Sequence, residues 1–180
     1  MKLITFATFE EAKSTLETCD AKEIDNNLFK SSIGLIAITG IGSFAAYFAV
    51  KNIQEPFDSI INIGLAGSGI PSLQLGTIYQ VSRCSKYNWH PKGAHESTFA
   101  PLDIQKTGFH LSTFDFPVYN SNKSLELVDM EGYGIALSAK NLNKPCKLYK
   151  LVSDYCNEQS SSNIKDTISK YSQIICNFLT

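Results

Sequence analysis

The sequence predicts an α/β protein: a single domain over residues 1–180, with a twisted, mostly parallel (mixed) central sheet flanked by helices. Two patterns predict it. Short, unbroken apolar runs alternate with segments whose apolar residues recur every three to four positions, which is strand followed by helix. The runs also lack polar alternation, as expected of strands buried on both faces of a parallel sheet.

In chain order, Leu3 to Ala7 is the first buried strand. Phe9, Ala12 and Leu16 then recur at helical spacing. Residues 19–30 are polar and read as a loop. Ile33 to Ile38 is a second apolar strand, ending at Thr39-Gly40-Ile41-Gly42. Ile41, Phe44, Ala45, Phe48, Ala49 and Ile53 mark one face of the next helix, which Pro56 ends. Ser59 to Ile63 is a strand running into Gly64-Leu65-Ala66-Gly67-Ser68-Gly69, and Thr77 to Ser82 is another. Residues 84–124 read as loops plus one strand near Phe114 to Tyr119. Leu125 to Val128 is a strand entering a helix at Asp129-Met130-Glu131-Gly132. Cys146 to Val152 is a strand ending at Ser153-Asp154, and Ile164, Ile168, Tyr171, Ile175 and Phe178 make a C-terminal amphipathic helix.

Composition excludes several function classes. A net charge of -1 gives no electrostatic footprint for nucleic acid or an anionic membrane. No run approaches the roughly 18 apolar residues of a membrane span. The apolar start, Met1 to Ala7, is too short for a signal peptide and runs into Glu10 and Glu11, so a cytoplasmic location is expected. The five cysteines are odd in number and none is spaced C-x-x-C. Neither a disulfide framework nor a zinc site is expected, and no cofactor.

In sheets of this kind ligands bind at the carboxyl ends of the strands. Glu10 or Glu11, Asp129, Glu131 and Asp154 all sit at such ends.

Those residues lie in stretches that resemble the nucleoside phosphorylase and nucleosidase superfamily. Ala7-Thr8-Phe9-Glu10-Glu11 resembles its first strand turn, and Thr39-Gly40-Ile41-Gly42 its S/T-G-I-G. Asn62-Ile63-Gly64-Leu65-Ala66-Gly67 is similar to N-x-G-x-A-G and is followed by Leu75-Gly76. Val128-Asp129-Met130-Glu131-Gly132 resembles V-x-M-E-A/G, and Leu151-Val152-Ser153-Asp154 the closing I/V-S-D. Within the superfamily the resemblance is to the 5'-methylthioadenosine/S-adenosylhomocysteine nucleosidases and the futalosine hydrolases.

The resemblance implies hydrolysis of the N-glycosidic bond of a 5'-substituted purine nucleoside. Breaking that bond needs a proton for the departing purine and an activated water at the sugar, the division of labour of an inverting glycosidase. It implies Asp154 as the acid at purine N7, oriented by Ser153, and Glu11 (over its neighbour Glu10) as the base for water. Glu131 would accept the ribose 2'- and 3'-hydroxyls, with Met130 beneath the ribose. Ala66 and Gly67 would allow close backbone approach, and Phe114 or Phe116 would stack on the base. The family is usually dimeric, so a homodimer is expected.

The superfamily also contains phosphorylases, which typically hold phosphate with several arginines. This chain has fifteen lysines and a single arginine, Arg83, so water is the expected nucleophile. The 5' group stays open among methylthio, homocysteinyl and futalosine types, the last serving menaquinone synthesis. A non-catalytic nucleoside-binding protein is the competing expectation.

Overall fold

The computed structural model describes residues 1–90, 93–97, 99–119, 125–157 and 160–180. The elements, in order, are β1 (Lys2–Phe6), α1 (Phe9–Thr18), β2 (Lys22–Asp25), β3 (Leu28–Ser31), β4 (Gly34–Ile38), α2 (Ser43–Lys51), β5 (Ser59–Gly67) and β6 (Ile78–His90). They continue with β7 (Gly93–Glu96), β8 (Leu102–Asp103), β9 (Phe109–Thr113), β10 (Leu127–Asp129), α3 (Gly132–Asn141), β11 (Cys146–Asp154) and α4 (Ser160–Leu179).

The strands lie side by side in the order β10-β9-β6-β11-β5-β1-β4-β3-β2. The centre is parallel: β1 pairs with β4 and β5, and β5 with β11. β11 meets β6 antiparallel, and β6 runs parallel to β9, so the sheet is mixed. β10 pairs with β9 and, through Val128 opposite Gly67, with β5. Strands β5, β11, β6, β9 and β10 therefore close on one another, and the carboxyl ends of β5, β10 and β11 come together.

Two cores cover the two faces. On one, Ala12 of α1 and Tyr171 and Ile175 of α4 pack against Ile4, Phe6, Ile36 and Ile63. On the other, Ala46 and Val50 of α2 and Ile135, Ala136 and Ala139 of α3 pack against Leu3, Leu35 and Leu148. The central strands are mostly buried, and β4 is buried at every position. That is why they read as continuous apolar runs.

Several expectations need correcting. Residues 19–30 are not a loop: β2 and β3 form an antiparallel hairpin that extends the sheet beyond β4. Its outer strand is exposed along its length, so no apolar run betrays it. The 84–124 region is strand-rich. β6 runs on to His90 and is joined by β7, β8 and β9, while the segment Phe114 to Tyr119 is not a strand. Pro91 and residues 120–124 lie outside the described residues.

The apolar face marked in the sequence of α2 is not the one that is buried. Ser43, Ala46 and Val50 are buried, while Phe44 is 70% and Phe48 52% exposed. The reason is close packing of α2 on α3: a Cβ added to Gly134 would lie 2.0 Å from the Ser43 carbonyl oxygen. Only the small-residue stripe of α2 fits there, which leaves the bulky stripe outward.

Candidate active site

One cavity of about 400 Å³ opens where the carboxyl ends of β1, β5, β10 and β11 meet. Its lining includes Glu11, Ala66, Gly67, Met130, Glu131, Ser153 and Asp154. Four distant stretches of the chain thus bring most of the expected residues to one space.

Glu11 sits in the first turn of α1, buried, while Glu10 beside it is exposed. Thr8 caps the helix: its hydroxyl accepts from the Glu11 backbone N–H, and Glu11 Oε2 accepts from the Thr8 N–H at 3.2 Å. The same oxygen takes the Ala7 N–H at 3.0 Å, and Oε1 takes the Leu65 N–H at 3.1 Å. Burial pushes the Glu11 carboxyl above its ordinary range, and these N–H donors and the Lys150 charge hold the rise back.

Glu131 occupies the junction of β10 and α3. Its Oε1 accepts the Gly42 N–H at 2.8 Å, which ties it to the start of α2. Burial, then the neighbouring Asp129 charge, lift its pKa to about 7, with Lys150 opposing.

Beneath these two lies a buried charge cluster. Lys150 Nζ, on the central strand β11, is 2.8 Å from Asp129 Oδ2 and donates to Asn62 Oδ1 at 2.8 Å. Asp129 also accepts from the Thr113 hydroxyl at 2.6 Å and the Gly132 N–H at 2.7 Å. Burial alone would depress the lysine, but Asp129, Glu131 and Glu11 outweigh it and its pKa is raised. The ammonium stays charged among carboxylates. Lys150 is the charged residue under the cavity that sequence reading missed. The signal was present: a lysine inside an otherwise apolar central strand needs a buried partner.

Asp154 ends β11. Between Val152 and Asp154 the register with β5 slips, two residues on β11 passing one on β5. Such a bulge re-aims the side chain that follows. Asp154 Oδ2 accepts from the Ser153 hydroxyl at 2.7 Å and Oδ1 from the Cys156 N–H at 2.8 Å. Gly67 faces it closely: a Cβ there would lie 2.3 Å from Cys156 Sγ and 3.0 Å from Asp154 Oδ1.

The two aromatic candidates separate. Phe116 lines the cavity mouth and is 65% exposed. Phe114, expected as an alternative base-stacking ring, does not line it. It is buried with Val128 and Cys156 and stacks on Tyr87 with centroids 5.2 Å apart. Two residues ahead of Phe116, it serves the core instead.

Arg83 lies away from the cavity, 54% exposed and 4.0 Å from Asp103. Among the described residues no lysine or arginine lines the cavity, and no group of His, Cys, Asp and Glu has the geometry to hold a metal.

The fold recurs in solved structures. A Chlamydia trachomatis MTAN, an aspartate-to-asparagine variant bound to MTA, superposes with a TM-score of 0.81 at 23% identity, over 98% of this chain and 93% of that one. The fold is that of the MTA nucleosidases. A Helicobacter pylori MTAN, likewise an aspartate-to-asparagine variant and holding 5'-methylthioadenosine in its active site, matches this nucleosidase fold with a TM-score of 0.85 at 16% identity over 99% and 95% of the two chains. Futalosine hydrolase of Helicobacter pylori matches at 0.84 and 17% identity over 99% and 94%. No protein-family model and no curated protein matches the sequence. The nucleosidase fold is therefore present at nearly full length, hairpin included.

Proposed function

We propose that this chain hydrolyses the N-glycosidic bond of a 5'-substituted purine nucleoside and releases the purine. The observation that carries the reading is the convergence of Glu11, Glu131 and Asp154 on one cavity. The likeness to nucleosidases that hold MTA supports it.

In this reading Asp154 gives its proton to purine N7 as the C1'–N9 bond breaks, and Ser153 fixes its orientation. Glu11 takes a proton from water, whose oxygen bonds to C1'. Burial makes Glu11 a stronger proton acceptor than an exposed glutamate. Glu131 accepts the ribose 2'- and 3'-hydroxyls, and its charge favours the cationic sugar of the transition state. Met130 lies under the ribose, and Ala66 and Gly67 let the base approach the backbone. Phe116 supplies the stacking ring. Water rather than phosphate is the nucleophile, because no cationic side chain among the described residues lines the cavity.

The wall beyond the ribose site carries Ile41, Pro117, Val118 and Ile168, which suits an apolar methylthio group. The protein acts as a homodimer in this reading. Phe44 and Phe48 of α2, with Ile41, leave an apolar stripe in solvent that a second copy would cover. It works in the cytoplasm, where its free cysteines stay reduced. No helix among the described residues is long and apolar enough to cross a membrane.

The test is adenine release from methylthioadenosine, S-adenosylhomocysteine and aminofutalosine, with and without added phosphate. Release that does not respond to phosphate is expected. Absence of release from all three overturns the reading. Light scattering on a sizing column tests the dimer; a mass of one chain refutes it.

A further inference from the structure

Resting on the nucleosidase reading, we propose that Lys86 is a positioning residue for the aromatic wall of the cavity and acts through Asp115.

Lys86 lies on β6 beside Thr113 of β9 and is 5% exposed. Its stem borders an apolar groove with Phe44, Phe99 and Tyr133. The ammonium forms an ion pair with Asp115 Oδ1 at 2.5 Å and, among the described residues, makes no hydrogen bond. A buried ammonium with a single counter-charge holds that partner in place, because separation would leave the charge uncompensated.

Asp115 is where the wall begins: Phe116, Pro117, Val118 and Tyr119 follow and line the cavity. The residue before it is held as well. The Phe114 N–H donates to the Asp129 carbonyl at 2.9 Å, and its ring stacks on Tyr87. Successive strand residues point to opposite faces. Lys86 and Tyr87 thus grip Asp115 and Phe114 from the two sides of β6, immediately ahead of the wall. Neither Lys86 nor Asp115 lines the cavity. Loss of the pair therefore loosens nucleoside binding and leaves the carboxylates that perform the chemistry.

The experiment compares wild type with Lys86→Met, Lys86→Arg, Asp115→Glu and the double variant Lys86→Met/Asp115→Asn. Two readouts are taken: kcat and KM for methylthioadenosine, and the calorimetric Kd for adenine. Lys86→Met leaves no unpaired charge in the interior. It is expected to raise KM and Kd about tenfold with kcat within about threefold, the pattern of lost uniform binding. The double variant should be no worse, and Lys86→Arg should restore most of the affinity. Should Lys86→Met fail to fold, Asp115→Glu, which lengthens the arm by one methylene, supplies the same readout with a smaller rise. Unchanged KM and Kd, or kcat falling in step with kcat/KM, overturns the proposal. A wild type that binds adenine but hydrolyses no nucleoside overturns the nucleosidase reading alone, and the Kd series still decides this one. A wild type that neither binds nor hydrolyses overturns both.

Discussion

Lys150 and Asp129 form a buried ion pair under the cavity floor, 2.8 Å apart and each with a side chain 1% exposed. Removing one partner strands the other. Lys150→Met is expected to cost about 3–5 kcal/mol of stability, read from urea denaturation. Adding Asp129→Asn should recover part of that loss, since no charge is then left alone. A loss below about 1 kcal/mol in the single variant would show that the cluster does not stabilise the floor.

Asp154→Asn keeps the shape, with the amide oxygen still able to accept the Cys156 N–H, but has no acidic proton to give. Turnover should fall by about 10²–10⁴, the usual worth of a general acid, with nucleoside binding retained. Adenine release and calorimetry measure the two separately.

Glu131 makes a pH prediction. Its folded pKa is raised to about 7 from 4.5, so the folded state holds a proton that the unfolded state has lost across that interval. Stability therefore falls as pH rises from 4.5 through about 7. Glu131→Gln should flatten this slope and raise the melting temperature at pH 8 by a few degrees, on the order of 1–2 kcal/mol. Its activity should be lost, and in the wild type kcat/KM should decline below about pH 7 as the carboxylate is protonated. Melting curves between pH 5 and 8 check the first part and initial rates the second.

Glu10 and Glu11 are distinguished by burial. Glu11→Gln should abolish turnover and cost about 1–2 kcal/mol, because an amide nitrogen cannot accept the N–H donors now satisfied by the carboxylate. Glu10→Gln should change neither rate nor stability.

Phe114 and Phe116 divide in the same way. Phe114→Ala should cost about 3–5 kcal/mol as a core deletion. Phe116→Ala should leave stability within about 0.5 kcal/mol and raise KM. Chemical denaturation and steady-state kinetics separate them.

The fold was legible where strands are buried on both faces. β1, β4, β5 and β11 announce themselves as mainly apolar runs because most of their residues are kept from solvent. The β2–β3 hairpin was not, because β2 lies at the edge with every residue exposed. β6 exceeded its predicted end because its pairing with β9, β8 and β7 comes from chain neighbours that carry little apolar signal of their own. Which face of α2 is buried was not legible because its sequence carries two apolar stripes, and only the fit against Gly134 decides between them. In the site, the acidic residues could be located from strand ends, but Lys150 acquires its meaning only from partners 21 and 88 positions away.

Glu11 has one carboxylate and two employments. One oxygen starts a helix, while the group as a whole reaches the cavity and ties α1 to β5 through Leu65. Fraying at the amino end of α1 would disarm the site at the same moment. Inactivation at mild temperatures should thus precede global melting, and evolutionary drift in this turn is constrained twice over by a single side chain.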